Sequence, residues 1–325
     1  MTSSVKSTTR TSKQAAIIFV FSRVAYLQYQ LVTRSQRRLR KLLKRCLNQD
    51  TFFIVPLKVL GWFLLSSIAT SAVWANECDL SASSLSTTQK VKIEKVIDGD
   101  TVRIEGGKLV RFIGINTPEI DHQYGRSQPF AEKARQHLKA IISKHNGQVL
   151  LQMDSESQDR HGRKLSHIFT TSGKNIQADL LHRGLGVWIV VPPNLAYMDC
   201  YRNNEKLARE QKTGVWSEQF RLPRDTNSLT HKETGFQWIQ GKIDRIGKGK
   251  KYLWLNFEDA LQDERESKHS KVTLRIHKDD LHYFKEQALN GLLNKVVRVK
   301  GWLTKYKKQL VMTLRHPASL EIVNH

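Results

Sequence analysis

The stretch that most constrains the fold of this 325-residue chain is Val96–Glu119, which reads VIDGDTVRIEGGKLVRFIGINTPE. Within it, Thr101–Ile104 and Leu109–Ile115 alternate apolar and polar residues, and a short connection, EGGK, joins them. Two alternating segments with a glycine-containing connection are typical of a β-hairpin that buries one face. The sequence therefore predicts a β-hairpin here.

The ends of this hairpin carry an unusual set of polar side chains. Two acids flank a glycine before the first strand, an arginine lies within the second strand, and an amide, a hydroxyl and a carboxylate follow it. In chain order these residues are Asp98, Asp100, Arg111, Asn116, Thr117 and Glu119. Carboxylate and amide oxygens bind hard cations, and a guanidinium binds phosphate, so the set indicates a metal site beside an anion clamp. Taken singly, each residue would also suit a turn, a strand edge or a local cap.

Three further motifs follow in order: DRHGR at 159–163, RGLGVW at 183–188, and a basic helix, predicted over Asn203–Lys212, that closes in GVW at 214–216. Together with DGDT at 98–101 and RFIGINTPE at 111–119, they resemble the staphylococcal nuclease (thermonuclease) family over roughly residues 90–217. The resemblance implies an OB-type β-barrel with packed helices that hydrolyses phosphodiester bonds with calcium.

The resemblance also implies a calcium ligand set. Asp100 is expected to be the main carboxylate ligand, Asn116 and the Thr117 carbonyl complete the protein's share, and Asp98 acts through a water molecule. The family carries an aspartate where this chain has Asn116. Because an amide oxygen brings no charge, we expect weaker calcium binding and tolerance of other divalent ions.

The catalytic residues implied by the resemblance are Arg111 and Arg163, which would clamp the phosphate, and Glu119, which would orient or deprotonate the attacking water. Trp188 lies near the position of the family's substrate-binding tyrosines. It is expected either to stack on substrate or to belong to the core.

The carboxyl-terminal part predicts a second, smaller OB-like barrel, because its pattern is strand-strand-strand-helix-strand-strand. The expected elements are strands at 236–246, 251–258, 271–276, 295–303 and 309–314, and a helix at 279–289. Aromatic residues interleave with lysines here, which suits base stacking and phosphate attraction. The expected substrate contacts are Trp254, Trp302, Lys250 and Lys251. Alternation alone leaves a core role for the aromatic residues equally open.

The fold class expected for the whole chain is mainly β with α (α+β). The predicted organisation is a basic leader with a signal peptide or anchor at 1–75, a linker at 76–89, and a nuclease-like domain at 90–218. A second linker at 219–234 and an OB-like domain at 235–325 complete it.

The amino-terminal region combines a basic run with an apolar segment, Val59–Val73, that ends in Val73-Trp74-Ala75. Small residues before Asn76 indicate a signal peptide cleaved after Ala75, which predicts export to the periplasm or the medium. The alternative is an uncleaved membrane anchor over residues 52–74. A true translation start near Val55 is a further hypothesis, because it would leave a compact signal.

The net charge of the chain indicates which kind of partner it binds. The chain has 53 Lys+Arg against 30 Asp+Glu, a net charge of +23, which favours a polyanionic partner or an anionic membrane surface. DNA and RNA are the expected partners of a monomer that needs no other protein.

After export, Cys78 and Cys200 would be the remaining cysteines; they either pair as a disulfide or stay free. The alternative functions are a non-catalytic nucleic-acid-binding protein on the same fold and a membrane-tethered adhesive protein.

Overall fold

A computed structural model describes residues 78–85, 88–121, 127–217, 222–258, 270–307 and 309–323. All of these residues belong to one compact unit, Ala72–His325. The predicted basic leader, the signal or anchor segment and the cleavage site lie outside the described residues. Among the helices within those ranges, none has the length and apolar character required to cross a membrane.

The first half of the unit is a closed five-stranded barrel. Its strands are β1 (Gln89–Val96), β2 (Thr101–Ile104), β3 (Leu109–Phe112), β5 (Gln148–Gln152) and β6 (Lys164–Phe169), arranged in the order β1-β2-β3-β6-β5. Strands β3 and β6 pair in parallel, and the other neighbours pair antiparallel. The helices are α1 (Ala131–Lys144), α2 (Ile176–His182) and α3 (Met198–Glu210), with a single turn at Ala82–Leu85. A two-stranded ribbon of β4 (Ile115–Asn116) and β7 (Val187–Trp188) lies beside them.

The second half repeats the same strand order. Its strands are β9 (Gly235–Lys248), β10 (Tyr252–Phe257), β11 (Val272–His277), β12 (Val296–Tyr306) and β13 (Gln309–Thr313). The pairings run β9-β10-β11-β13-β12, and β12 pairs back onto β9, which closes the ring. As in the first barrel, the third and fifth strands pair in parallel. Helix α4 (Glu286–Asn290) lies between the third and fourth strands, as expected of an OB fold.

Short elements complete the second half. Strand β14 (Leu320–Ile322) pairs with β12. Strand β8 (Arg224–Asp225) pairs in parallel with β9, and Leu229 is fully buried in the second core, so part of the segment expected to be a linker is built into this barrel. Single 3-10 turns occur at Thr226–Ser228 and Pro317–Ser319, and a longer 3-10 helix spans Lys278–Tyr283; another single turn, Gly214–Trp216, ends the first half.

The predicted strand Leu109–Ile115 is broken in the structure at Gly114. This residue has φ +79°, and a Cβ built on it would lie 2.5 Å from the Tyr201 ring. The backbone therefore turns beneath a buried aromatic side chain that only a glycine can approach so closely. As a result, β3 ends at Phe112 and Ile115–Asn116 joins the separate ribbon.

Two predicted helices differ from those observed. Helix α3 begins at Met198, five residues before the predicted start at Asn203, because Cys200 and Tyr201 in its first turns are buried in the core. The predicted helix at 279–289 is split into a 3-10 turn and α4, since Phe284 is extended and packs against the second core.

The start of the described chain is fastened to the first barrel. Cys78 and Cys200 form a disulfide with their Cα atoms 5.6 Å apart, the pairing that the sequence left open against two free thiols. The Asp79 carboxylate accepts hydrogen bonds from the Lys174 side chain and the Asn175 backbone. The described part of the expected linker at 76–89 is therefore packed against the barrel.

A buried ion pair joins the two barrels. Lys300 on β12 donates to both carboxylate oxygens of Glu205 on α3, at 2.6 and 2.9 Å, and both side chains are about 5% exposed or less. Arg209, one turn further along α3, lies 2.7 Å from Glu205 and also pairs with Glu321 of β14. Burial lowers the pKa of Lys300, while the charge of Glu205 opposes that shift.

Indole rings surround this charged cluster. Lys300 Nζ lies 4.9 Å from the centre of the Trp188 ring. The Arg209 guanidinium lies over Trp216 and Trp238, which meet edge to face. Such rings attract cations electrostatically, so they help to offset the cost of removing these charges from water.

We expect Lys300→Met to lower the free energy of unfolding by about 3 kcal/mol, because Glu205 would stay buried with only Arg209 as its cation. Urea denaturation followed by tryptophan fluorescence measures this. Lys305→Met, on the exposed side of the same strand, is the matched control and should change stability by no more than about 0.5 kcal/mol. In a double-mutant cycle with Glu205→Gln, the two substitutions should be clearly non-additive; additive losses would contradict the ion pair.

Candidate active site

The Asp98-Gly99-Asp100 turn brings two carboxylates to the start of β2. Asp98 Oδ1 accepts a hydrogen bond from the Asp100 backbone N–H at 3.0 Å, which holds the turn. A Cβ built on Gly99 would lie 2.8 Å from both Ala134 of α1 and the Thr117 side chain. A glycine is therefore required here by close packing, and this packing sets the turn against α1 and against the segment after β4.

Asp100 is the centre of the site and is only 3% exposed. Its Oδ2 accepts a 2.6 Å hydrogen bond from the Thr117 backbone N–H, and its Oδ1 accepts one from the Thr101 hydroxyl. The same Oδ1 lies 2.9 Å from Arg111 Nη1. The carboxylate is thereby fixed in position and partly neutralised, which a buried charge requires.

Arg111 connects this carboxylate to the chain that follows β3. Its Nη1 donates to the Ile115 carbonyl at 2.9 Å and to the Phe112 carbonyl at 3.2 Å, and its Nη2 donates to Asn116 Oδ1 at 3.0 Å. The alternative of an arginine that reaches solvent along a strand edge does not apply, since the side chain is only 11% exposed.

Arg163 lies in the loop before β6 and is held by Asp159. The Asp159 carboxylate accepts the Arg163 Nε–H at 2.7 Å and the Arg163 backbone N–H at 2.9 Å. Strand β6 pairs with β3, the strand that carries Arg111. In this pairing Lys164 and Leu165 lie opposite Val110 and Arg111, so the DRHGR loop ends beside the strand that carries Arg111.

Besides burial, the negative charge of Asp100 raises the pKa of both Glu119 and Asp98. Burial and the negative charge of Asp100 raise the pKa of Glu119, while Arg111 and Arg163 lower it. Burial and Asp100 raise the pKa of Asp98 to about 7. Glu119 therefore lies within electrostatic reach of the four other predicted residues, Asp98, Asp100, Arg111 and Arg163. Negative charge accumulates here, and a bound cation would relieve it.

The residues present fit a hard cation in their chemistry. Asp100, Asn116 and the Thr117 carbonyl supply oxygen donors, and the Thr117 hydroxyl is a buried polar group without a hydrogen-bond partner in the part of the chain that the structure describes. No trio of His, Cys, Asp or Glu side chains within the described ranges is arranged to hold a metal. The expected ligands are one carboxylate, one amide and one backbone carbonyl, so the site would not include three such side chains. Arg111 contacts both side-chain donors.

The structure brings together only part of the predicted substrate-binding set. Trp188 is 4% exposed, lies under Lys300 and donates its backbone N–H to Glu205, so it belongs to the core and offers no face for stacking. Trp254, Lys250 and Lys251 lie at the β9–β10 turn and on β10 of the second barrel. Trp302 is 43% exposed on β12 and packs against Phe236 instead.

Sequence reasoning missed several supporting residues. Thr101 and Gln128 hydrogen-bond to Asp100 and to the Glu119 backbone, and Glu205 holds the ribbon strand β7. Thr101 is the last residue of the DGDT motif, and its place in that motif could have indicated a role beside Asp100. Gln128 lies in a polar loop and Glu205 in a charged helix, and neither position differs in pattern from an ordinary solvated residue.

The strand order of the first barrel and the acids and arginines gathered at its hairpin define a class: an OB-type barrel with helices on one side and a buried acid–arginine site. Comparison with known proteins gives the same answer. A family model described as staphylococcal nuclease homologue matches residues 109–218.

Three relatives each resemble about two fifths of the chain. Endonuclease YncB of Bacillus subtilis (strain 168) is 34% identical over 132 residues, which make up 39% of this chain and 61% of that protein. The SPbeta prophage-derived endonuclease YokF of the same organism is 32% identical, over 39% of this chain and 44% of its own length. The thermonuclease of Staphylococcus hyicus is 32% identical over 40% of this chain and 76% of its own length. The match thus spans less than two thirds of each Bacillus protein. The chain belongs to the staphylococcal nuclease family.

We expect Gly99→Ala to lower the free energy of unfolding by about 1–3 kcal/mol, because the added methyl must displace Thr117 or helix α1. The matched control is Gly247→Ala in strand β9, where a Cβ would meet nothing within 4 Å. That variant should be unchanged or up to about 1 kcal/mol more stable. Urea denaturation of both proteins makes the comparison, and equal stabilities would contradict the close packing at Gly99.

Proposed function

We propose that this protein is a nuclease that hydrolyses the phosphodiester bonds of DNA and RNA, with calcium as its metal and with low sequence specificity. The observation that supports this most directly is the buried Asp100–Arg111 pair within electrostatic reach of Glu119 and Arg163. Membership of the staphylococcal nuclease family supports the same reaction class. Low specificity follows from a site built to contact phosphate, since phosphate contacts carry no base information.

Asp100, Asn116 and the Thr117 carbonyl would hold the metal ion, with Asp98 beside them. When bound, the ion would act as a Lewis acid on the phosphoryl oxygens. Every other part of the reaction falls to the chain's own groups, which must neutralise developing charge and place a water molecule.

The two arginines have different roles in this proposal. Arg163 is oriented by Asp159, which leaves its terminal nitrogens to bind a phosphate oxygen. Arg111 has contacts with Asp100 and Asn116 and would share its guanidinium between these oxygens and the phosphate. Paired guanidiniums stabilise charge that spreads over several phosphoryl oxygens in the transition state.

Glu119 is the group proposed to orient the attacking water and to accept its proton. Burial and the charge of Asp100 hold its pKa above the usual range for a glutamate, so its carboxylate is a stronger base than an exposed one. The rival reading, a binding protein without catalysis, gives no reason for acids beside the phosphate site. Binding a polyanion needs cations alone.

We also propose that the folded part works outside the cytoplasm, as a monomer. The Cys78–Cys200 disulfide supports this location, because disulfides persist in oxidising compartments. Sequencing the amino terminus of the mature protein tests it: a start at Asn76 fits cleavage after Ala75, and an intact segment over 52–74 fits the anchor.

Glu119→Gln should lower the rate of plasmid and single-stranded DNA cleavage by about 10²–10⁴-fold, since it removes the proton acceptor while keeping the shape. Glu105→Gln, an exposed glutamate in the turn of the same hairpin, is the matched control and should cleave at the wild-type rate. Cleavage by the full chain is followed on gels in calcium and in chelator.

Two results would overturn the proposal in different ways. If Glu119→Gln cleaved as fast as the control, the reaction would belong to another site or another protein. If the wild-type chain bound DNA but cleaved nothing with any divalent ion, the binding-protein alternative would stand.

Asn116→Asp should tighten calcium binding, because a second ligand charge joins Asp100. Calcium titration by calorimetry measures the affinity without relying on catalysis, and the calcium dependence of cleavage should shift to lower concentration in parallel. Asn290→Asp makes the same chemical change on the exposed side of α4 and should leave both curves unchanged. Equal affinities for the Asn116→Asp protein and the wild type would show that Asn116 is not a ligand.

A further inference from the structure

The second barrel carries an aromatic and basic surface on the outside of β10, β11 and the end of β12. Side chains on β10 alternate strictly: Leu253, Leu255 and Phe257 point into the core, while Tyr252 and Trp254 point outward and stay partly exposed. The barrel core beneath is complete without these outward residues. Their presence on the surface therefore needs a separate explanation.

The outward aromatic residues form one continuous cluster. The ring centres of Tyr252 and Trp254 are 5.6 Å apart, and those of Trp254 and Tyr306 are 6.1 Å apart. The ring centre of His277 on β11 lies 5.1 Å from that of Tyr252. Tyr306 is 41% exposed. Three neighbouring rings from two strands thus provide a row of π faces at the surface.

Cations lie within and around this row. The Arg275 guanidinium lies 4.7 Å from the Tyr252 ring and 6.0 Å from the Tyr306 ring, and it donates to the Thr313 hydroxyl. Lys250 and Lys251 are exposed at the β9–β10 turn beside Tyr252. Neither lysine side chain has an ion-pair partner among the described residues. The surface is thus positively charged where its aromatic faces are.

One end of this surface continues into a cavity of about 490 Å³. Tyr252 belongs to both, and the cavity wall adds Lys278, His282 and Phe284. That volume lies within the range of small-ligand sites. A base or a nucleotide at the end of a bound strand would meet both apolar and cationic groups there.

We propose that this surface, formed by Tyr252, Trp254, Tyr306 and Arg275 with the lysines of the β9–β10 turn, is a second nucleic-acid site that binds single strands. Stacking needs bases whose faces are open, which a single strand offers and a duplex conceals. In an OB-type barrel the second and third strands and the adjoining loops form the usual oligonucleotide face, and β10 and β11 are those strands here. Trp302 lies outside this site, since it packs with Phe236.

The site is distinct from the catalytic one in both composition and position. The residues that form it include no acidic side chain, and its strands belong to the other barrel. On the wall of the adjoining cavity, the acid among the described residues is Glu286, which lies 3.7 Å from Lys248. Its binding can therefore be measured without cleavage, and a failure of this proposal can be told apart from a failure of the nuclease proposal.

The test is fluorescence anisotropy of the full chain with a labelled oligothymidylate of about 20 nucleotides, longer than the span of one OB-type barrel. Chelator is present, and gels confirm that the probe stays intact. Trp254→Ala and Tyr306→Ala should each weaken binding by about 5- to 150-fold. The matched control is Trp302→Ala, which removes an exposed tryptophan of the same barrel that packs against Phe236, and it should change affinity less than twofold.

Two further measurements separate stacking from charge and from misfolding. Trp254→Phe keeps a stacking face and should retain most of the affinity, while its urea midpoint reports on folding. The Lys250→Ala and Lys251→Ala double variant should flatten the slope of log affinity against log salt by about 0.7 for each phosphate that the protein no longer neutralises. The aromatic variants should leave that slope unchanged.

Three results would overturn the proposal. The first is wild-type affinity in Trp254→Ala and Tyr306→Ala. The second is an equal loss in Trp302→Ala, which would mean that the barrel binds without using this surface. The third is a duplex of the same length that binds as tightly as the single strand.

Discussion

Glu205 is the residue on which the arrangement of the two barrels most depends. Its buried carboxylate lies against Lys300 of the second barrel, Arg209 of its own helix and the backbone N–H of Trp188. Burying a charge in this way costs several kcal/mol unless its partners are all in place, so the contact tolerates little rearrangement. Trp188 in turn pairs with Ile115, whose carbonyl accepts a hydrogen bond from Arg111. A continuous series of contacts therefore joins the second barrel to the candidate active site.

The parts of the fold that the sequence predicts best are those decided by neighbouring residues. Alternation and a glycine-containing turn were enough for the β2–β3 hairpin, and the order of strands and helix was enough for an OB-type second barrel. The errors arose where a distant residue decides the backbone. Gly114 breaks a strand because Tyr201 lies against it, and Phe284 divides a helix because it packs into the barrel core. Neither contact can be predicted from the residues that neighbour Gly114 or Phe284 in the sequence.

The candidate site shows the same division. The acids and arginines could be selected from residue type and motif order, because their chemistry is tied to short, recognisable segments. Their mutual contacts could not be predicted: Arg111 bridges Asp100 and Asn116, a relation that depends on where β3 ends. Trp188 is the clearest example, because the sequence left stacking on substrate and a core role both open. An aromatic residue near the site suits stacking on composition alone, and only the positions of Glu205 and Lys300 show that it is buried.

The two barrels share one strand order but use it in different ways. In the first, the polar groups lie at the end of the hairpin, where a turn, a strand end and a loop converge, and a buried carboxylate there requires precise partners. In the second barrel, aromatic rings and cations lie on the outer face of the strands, where they need only to be adjacent and accessible. A convergent buried site suits bond cleavage, which depends on exact placement, whereas an extended surface suits the retention of a flexible strand. The division of labour therefore follows from where each barrel places its polar and aromatic side chains, since the topology is common to both.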